Sequence, residues 1–180
     1  MCIRDRDFLL ISDTFQSSPS PLYVVIDGEV ISQEGRTIYD EVIGLLTQTE
    51  GVSGLPSGIW DTLENSRTRN TALNVTMQTL ENDTHWENLK SYLLSEEGRN
   101  LSSGTLNGEA SQTVISFQAS TLDWQATADF EAALSAELDK ISEAHEGDFE
   151  VKLSGRSLIL AQVTADVAES AILSTATVAG

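Results

Sequence analysis

A single cysteine, Cys2, excludes an intramolecular disulfide and a thiolate cluster for a metal. Lysine is also scarce, limited to Lys90, Lys140 and Lys152, and the 10 basic residues face 28 acidic ones. The net charge is -18 and the pI near 4.2. Such a surface repels nucleic-acid phosphates and anionic headgroups, so nucleic acid is excluded as a partner. It is also the profile of salt-adapted or exported marine proteins. No run approaches the ~18 apolar residues that cross a bilayer. The amino terminus does not read as a secretory signal, because its apolar run is only Phe8 to Ile11. A P-loop, a GxGxxG fingerprint and a GxSxG elbow are all missing. Without a nucleophile and base to pair, an acidic hydrolase has no support, and the chain reads as a non-enzyme with no cofactor and no metal site.

What is present is enough for one core. The 180 residues are 40% hydrophobic, with three Trp, three Tyr and five Phe. Met1 to Arg6, "MCIRDR", resembles the spurious starts found in genes called from fragmentary reads and is set aside from the fold reading. "PLYVVIDGEV" predicts a strand over 21–27, opened by Pro21 and closed by Asp27-Gly28. A helix over 33–49 follows. Ser32 caps it, Ile38, Val42, Leu45 and Leu46 form its apolar stripe, and Gly51 ends it. "GVSGLPSGIW" offers a short returning strand. Residues 57–106 read as a helical insertion. Apolar anchors fall at Ile59, Trp60 and Leu63, at Leu73, Met77 and Leu80, and at Trp86, Leu89 and Leu93, the last set with Thr84 as cap.

The second half repeats the first. "SQTVISFQAS" alternates and predicts a strand over 112–119. Asp123 caps a helix over 122–145, with Phe130, Leu134, Leu138 and Ile141 on its apolar side and Gly147 as its stop. "DFEVKLSG" predicts the return strand over 148–154, with Phe149, Val151 and Leu153 on one face. Two βαβ halves in one antiparallel sheet, with helices on one side, predict an α+β fold of the ferredoxin-like kind.

Chemistry-bearing residues are sparse. His85 and His145 sit among acids at predicted helix ends and read as surface histidines rather than a metal pair. "DGEVISQEG" lacks the spaced ligands of a calcium loop. Three sequons place candidate glycosylation at Asn74, Asn82 and Asn100. From Ser170 to Gly180 the chain carries no charge and no helix stop.

Four stretches carry a family likeness. They are "FQSSPSPLYVVIDGEV", "LLSEEGRNLSSGTLNGEASQTVISFQAS", "DFEVKLSGRSLI" and "LAQVTADVAESAILSTATVAG". Together they resemble the first large extracytoplasmic loop of an RND-superfamily exporter of the MMPL type. Where that family has a G-x-P ending, this chain reads Gly155-Arg156-Ser157. The resemblance implies an extracytoplasmic porter domain over 7–157, and a linker helix over 158–180 leading to a transmembrane helix. The implied partners are the rest of the same transporter and an amphiphilic or lipid substrate, with homo-oligomerisation open. Proton-relay residues of such exporters lie in their membrane helices, so none is carried over. The insert aromatics Trp60, Trp86 and Tyr92 are the substrate-cleft candidates. The alternative is an autonomous extracellular binding or adhesion module.

Overall fold

A computed structural model of the chain describes residues 21–77, 80, 83–120, 124–145 and 148–155. The expected caps at Asp123 and Gly147 and the expected helix over 158–180 lie outside them. Strand β1 (Leu22–Asp27) alternates as its β-branched sequence requires, with Leu22, Val24 and Ile26 buried. Helix α1 (Gln33–Gln48) starts at Ser32, whose Oγ accepts the Gly35 N–H at 2.9 Å. Ile38, Val42 and Leu46 are its buried stripe, joined by Tyr39. The chain returns through β2 (Val52–Ser57).

Four short helices follow: α2 (Ile59–Arg67), α3 (Thr71–Met77), α4 (Asp83–Leu94) and α5 (Glu96–Ser102). Then come β3 (Gln112–Ala119), α6 (Trp124–Ala144) and β4 (Glu150–Gly155). Two details differ from the sequence expectation. Leu80 keeps the helical spacing but lies in a turn beyond α3. Thr84 lies inside the first turn of α4 rather than capping it. Helix α5 falls within the expected helical insertion over 57–106, although no set of apolar anchors marks it as a separate element.

The strands form one antiparallel sheet in the order β2-β3-β1-β4, so the fold is α+β. β1 lies at its centre, with Val24 opposite Ile115 on one side and Leu153 on the other. The sheet, α1 and α6 share one buried cluster with the short helices, which contribute Trp60, Leu63, Leu73, Leu89 and Leu93. Each such side chain stabilises the fold by roughly 1.5–3 kcal/mol when fully buried. The short helices are therefore part of the domain core.

Candidate functional site

Side chains alternate across a strand, so the residues between the core positions share the second face of the sheet. Ser154, Tyr23, Ser116 and Ser57 form one row across it, and Lys152, Val25 and Val114 form the next. Tyr23, Val25, Val114 and Ser116 are half-buried. Tyr23, Val25, Val114 and Ser116 make an uncharged patch, and Lys152 at the β4 rim pairs with Glu150. The following row brings Glu150, Asp27 and Gln112 to the same face, with Gln112 Nε2 donating to Asp27 Oδ2 at 2.9 Å.

At β2 the ladder slips. Ser53 lies opposite Gln118 and Ser57 opposite Ser116, so Gly54, Leu55 and Pro56 bulge between them. Pro56 is buried while Leu55 is 88% exposed. Beside the bulge lies a cavity of about 300 Å³, walled by Pro21, Ser53, Leu55, Ser57, Ser116 and Gln118 among others. None of its lining residues is charged. Ser116 belongs to both the cavity wall and the second face, which makes the two surfaces continuous. The hydroxyls here serve the slipped ladder. Ser53 Oγ donates to the Gln118 carbonyl at 3.3 Å, and Ser116 Oγ donates to the Ser57 carbonyl at 3.2 Å. This lining can shelter apolar groups, but it holds no base to activate a nucleophile.

The aromatic candidates lie elsewhere. Trp60 is 2% exposed and meets Trp86 edge-on, with ring centroids 5.8 Å apart at 84°. The Arg36 guanidinium caps the Trp60 ring at 4.8 Å. Next to it the Tyr39 hydroxyl donates to Asp61 Oδ2 at 2.6 Å, and the same oxygen accepts the Gly58 N–H at 3.0 Å. Burial, and then the Asp61 carboxylate, push the Tyr39 phenol far above its ordinary range. Tyr92 is not joined to this pair through its hydroxyl, which accepts from Asn70 Nδ2 at 2.7 Å. The structure thus brings Trp60 and Trp86 together in a packed corner and gives Tyr92 a tie to the α2–α3 turn.

Asn74 lies on α3 with its Oδ1 accepting from Arg67 Nε at 2.8 Å. Asn100 is exposed on α5, but the hydroxyl of its sequon residue Ser102 is buried and donates to the Gly98 carbonyl at 3.0 Å. Asn82 lies outside the described residues. His85 is half-buried on α4. His145 does not read as a surface histidine: its side chain is 15% exposed and is held between two carboxylates of α1. Among the described residues, no group of three or more His, Cys, Asp or Glu could hold a metal ion.

Sequence reasoning missed the cavity and the His145 contacts. The strand alternation carried the second face, but nothing local marks a slipped register or a contact spanning more than 100 residues. Set against known proteins, the chain matches no family model, no curated protein and no solved structure.

Proposed function

We propose that this chain is the extracytoplasmic substrate-passage domain of an ion-driven membrane exporter of amphiphiles or lipids, of the RND/MMPL type. The observation that carries the reading is the uncharged patch made by Tyr23, Val25, Val114 and Ser116 on the second face together with the cavity at the β2 bulge. That patch is bounded by Lys152 on β4 and by the row of Glu150, Asp27 and Gln112. In a chain of net charge -18, keeping charge off such a stretch suits an apolar tail. Pockets for small ligands span about 300–1,000 Å³. A cavity at the lower end of that range takes part of an acyl chain rather than a whole lipid.

The ferredoxin-like arrangement is the finer fold reading that belongs with this function. It is supported by the strand order and by the split β1–α1–β2 and β3–α6–β4 halves. Such a unit passes substrate by moving as a rigid body against a neighbouring subdomain, which opens and closes the cleft between them. The second face is where that neighbour or the substrate sits. The membrane part of the same transporter supplies the coupling ion and is the required partner. The domain itself performs no covalent chemistry.

The test titrates decyl maltoside, below its micellar concentration, into the isotopically labelled chain. The expected result is saturable amide shifts at Ser53, Leu55, Val114 and Ser116, lost in Ser116→Glu. Shifts that never saturate, or that fall on other residues, overturn the passage reading. The flanking coding sequence provides the second arm. Membrane-spanning segments are expected on both sides, and soluble domains or stop codons there favour the autonomous binding module instead.

A further inference from the structure

His145 stands where α6 ends and the turn to β4 begins. Its ring reaches back to α1 with both nitrogens. Nδ1 lies 3.2 Å from Glu34 Oε1, and Nε2 lies 3.3 Å from Glu41 Oε2. Glu34 and Glu41 stand seven residues apart, two turns along one side of α1. One imidazole therefore spans two turns of a helix more than 100 residues away in sequence.

The chemistry of the partners decides its charge. An ionised carboxylate only accepts hydrogen bonds, and a neutral imidazole has one N–H to give. Only the imidazolium satisfies both carboxylates at once. Loss of the proton turns a lone pair towards Glu34 or Glu41 and removes the cation that holds those two acids together. The other charged groups of the packed elements are otherwise engaged or acidic. On α1, Arg36 pairs with Asp40. On α6, Lys140 pairs with Glu137, and the helix's other charged residues, Asp129, Glu131, Asp139 and Glu143, are all acidic. On β4, Lys152 pairs with Glu150, and Asp148 lies in the turn. Among the described residues, no second cation forms an ion pair with Glu34 or Glu41.

We propose that His145 is a proton-operated latch: charged, it clamps the end of α6 and the turn into β4 against α1, and neutral, it releases them. Burial opposes the charged ring, but the hydrogen bonds to Glu34 and Glu41 outweigh that and hold its pKa above the ordinary 6.5. The sign follows. A raised folded pKa gives stability that is fully present below 6.5 and is lost as pH rises through the folded value. The released region leads directly into β4. The Asp148 N–H donates to the His145 carbonyl at 3.3 Å, and the Val151 N–H donates to Ser142 Oγ at 2.9 Å. β4 carries Glu150, Lys152 and Ser154 along the rim of the second face, so the latch bears on that rim. The inference stands on the ring geometry and does not depend on the proposed function.

The test is an imidazole NMR titration of the whole chain. Free imidazole in the same sample serves as reference, and His145→Gln gives the assignment. The His145 midpoint is expected above 6.5, lower in Glu34→Gln or Glu41→Gln, and lowest in the double variant. Both glutamate side chains are about half exposed, Glu34 at 52% and Glu41 at 45%, so these variants fold even if His145→Gln does not. Amide protection from His145 to Gly155, corrected for intrinsic exchange, is expected to fall as pH crosses that midpoint. The fall is about tenfold for each unit by which the midpoint exceeds the ordinary value. A midpoint at or below the ordinary value, a midpoint unmoved by the double variant, or protection indifferent to pH overturns the latch.

Discussion

Two corners of this chain are built alike and do different work. At the start of α1, Ser32 Oγ donates to the Glu29 carbonyl at 2.6 Å and accepts the Gly35 N–H at 2.9 Å. At the start of α5, Ser95 Oγ donates to the Tyr92 carbonyl at 2.6 Å and accepts the Gly98 N–H at 3.2 Å. In both, the chain folds so closely on itself that a side chain would not fit at the glycine. A Cβ on Gly35 would stand 2.7 Å from Val30 Cα, and one on Gly98 would stand 2.6 Å from Leu93 Cα. Yet α1 runs 16 residues and buries Ile38, Val42 and Leu46, whereas α5 runs 7 and buries only Gly98 and Ser102. Identical local chemistry starts a helix with a full buried stripe in one place, and in the other a helix whose only partly buried apolar side chain packed on the core is Leu101. Helices this short are marginal without such support.

The largest break in the comparison comes from the anchor that ties the short helices to the sheet. Trp60→Ala should cost about 3–5 kcal/mol, since it empties a buried site shared with Trp86 and Arg36. Chemical denaturation followed by circular dichroism measures this. A single transition displaced to lower denaturant is expected, and a loss under about 1 kcal/mol would separate the insert from the core. Next comes the corner itself. Gly98→Ala forces a methyl into the Tyr92–Leu93 backbone and should cost roughly 1–3 kcal/mol. Hydrogen exchange should place that loss in α4 and α5, with β1 and β3 protection following only the global change.

The two caps sharpen the contrast directly. Ser32→Ala and Ser95→Ala should each cost about 1 kcal/mol. The helical amides of α1 should stay protected in the first variant, while those of α5 should exchange freely in the second. Equal behaviour would show that packing holds both. The smallest effect belongs to the link between the corners, where Lys90 on α4 reaches Glu29 at 3.2 Å. Glu29 is 60% exposed, so Lys90→Ala should change stability by about 0–1 kcal/mol, and less as salt is raised.

The same contrast explains what the sequence made legible. Leu22, Val24 and Ile26, and then Ile38, Val42 and Leu46, announce their elements because burial repeats at the period of the backbone. The repeated strand–helix pattern led from there to the antiparallel sheet. Helix α5 has no apolar stripe to read: its signal was Ser95 with Glu96 and Glu97 behind it, a cap without a core. Leu80 misled for the opposite reason, keeping the helical period after the helix had stopped. At the candidate site, the alternation of Val114 and Ser116 with Ile115 and Phe117 was readable. The cavity was not, because it depends on how β2 meets β3. The grip of Glu34 and Glu41 on His145 depends wholly on the tertiary fold.

The slipped register of β2 also bears on what this sheet refuses. A strand whose outer edge is regular and apolar invites another chain to extend it, the first step towards fibrils. Here the ladder of β2 is broken by Gly54, Leu55 and Pro56, and proline has no N–H to offer. At the opposite edge, β4 presents Glu150 and Lys152 to solvent. Both ends of the sheet are closed to templated growth, so the protruding Leu55 can be held by a partner's side chains without nucleating a polymer.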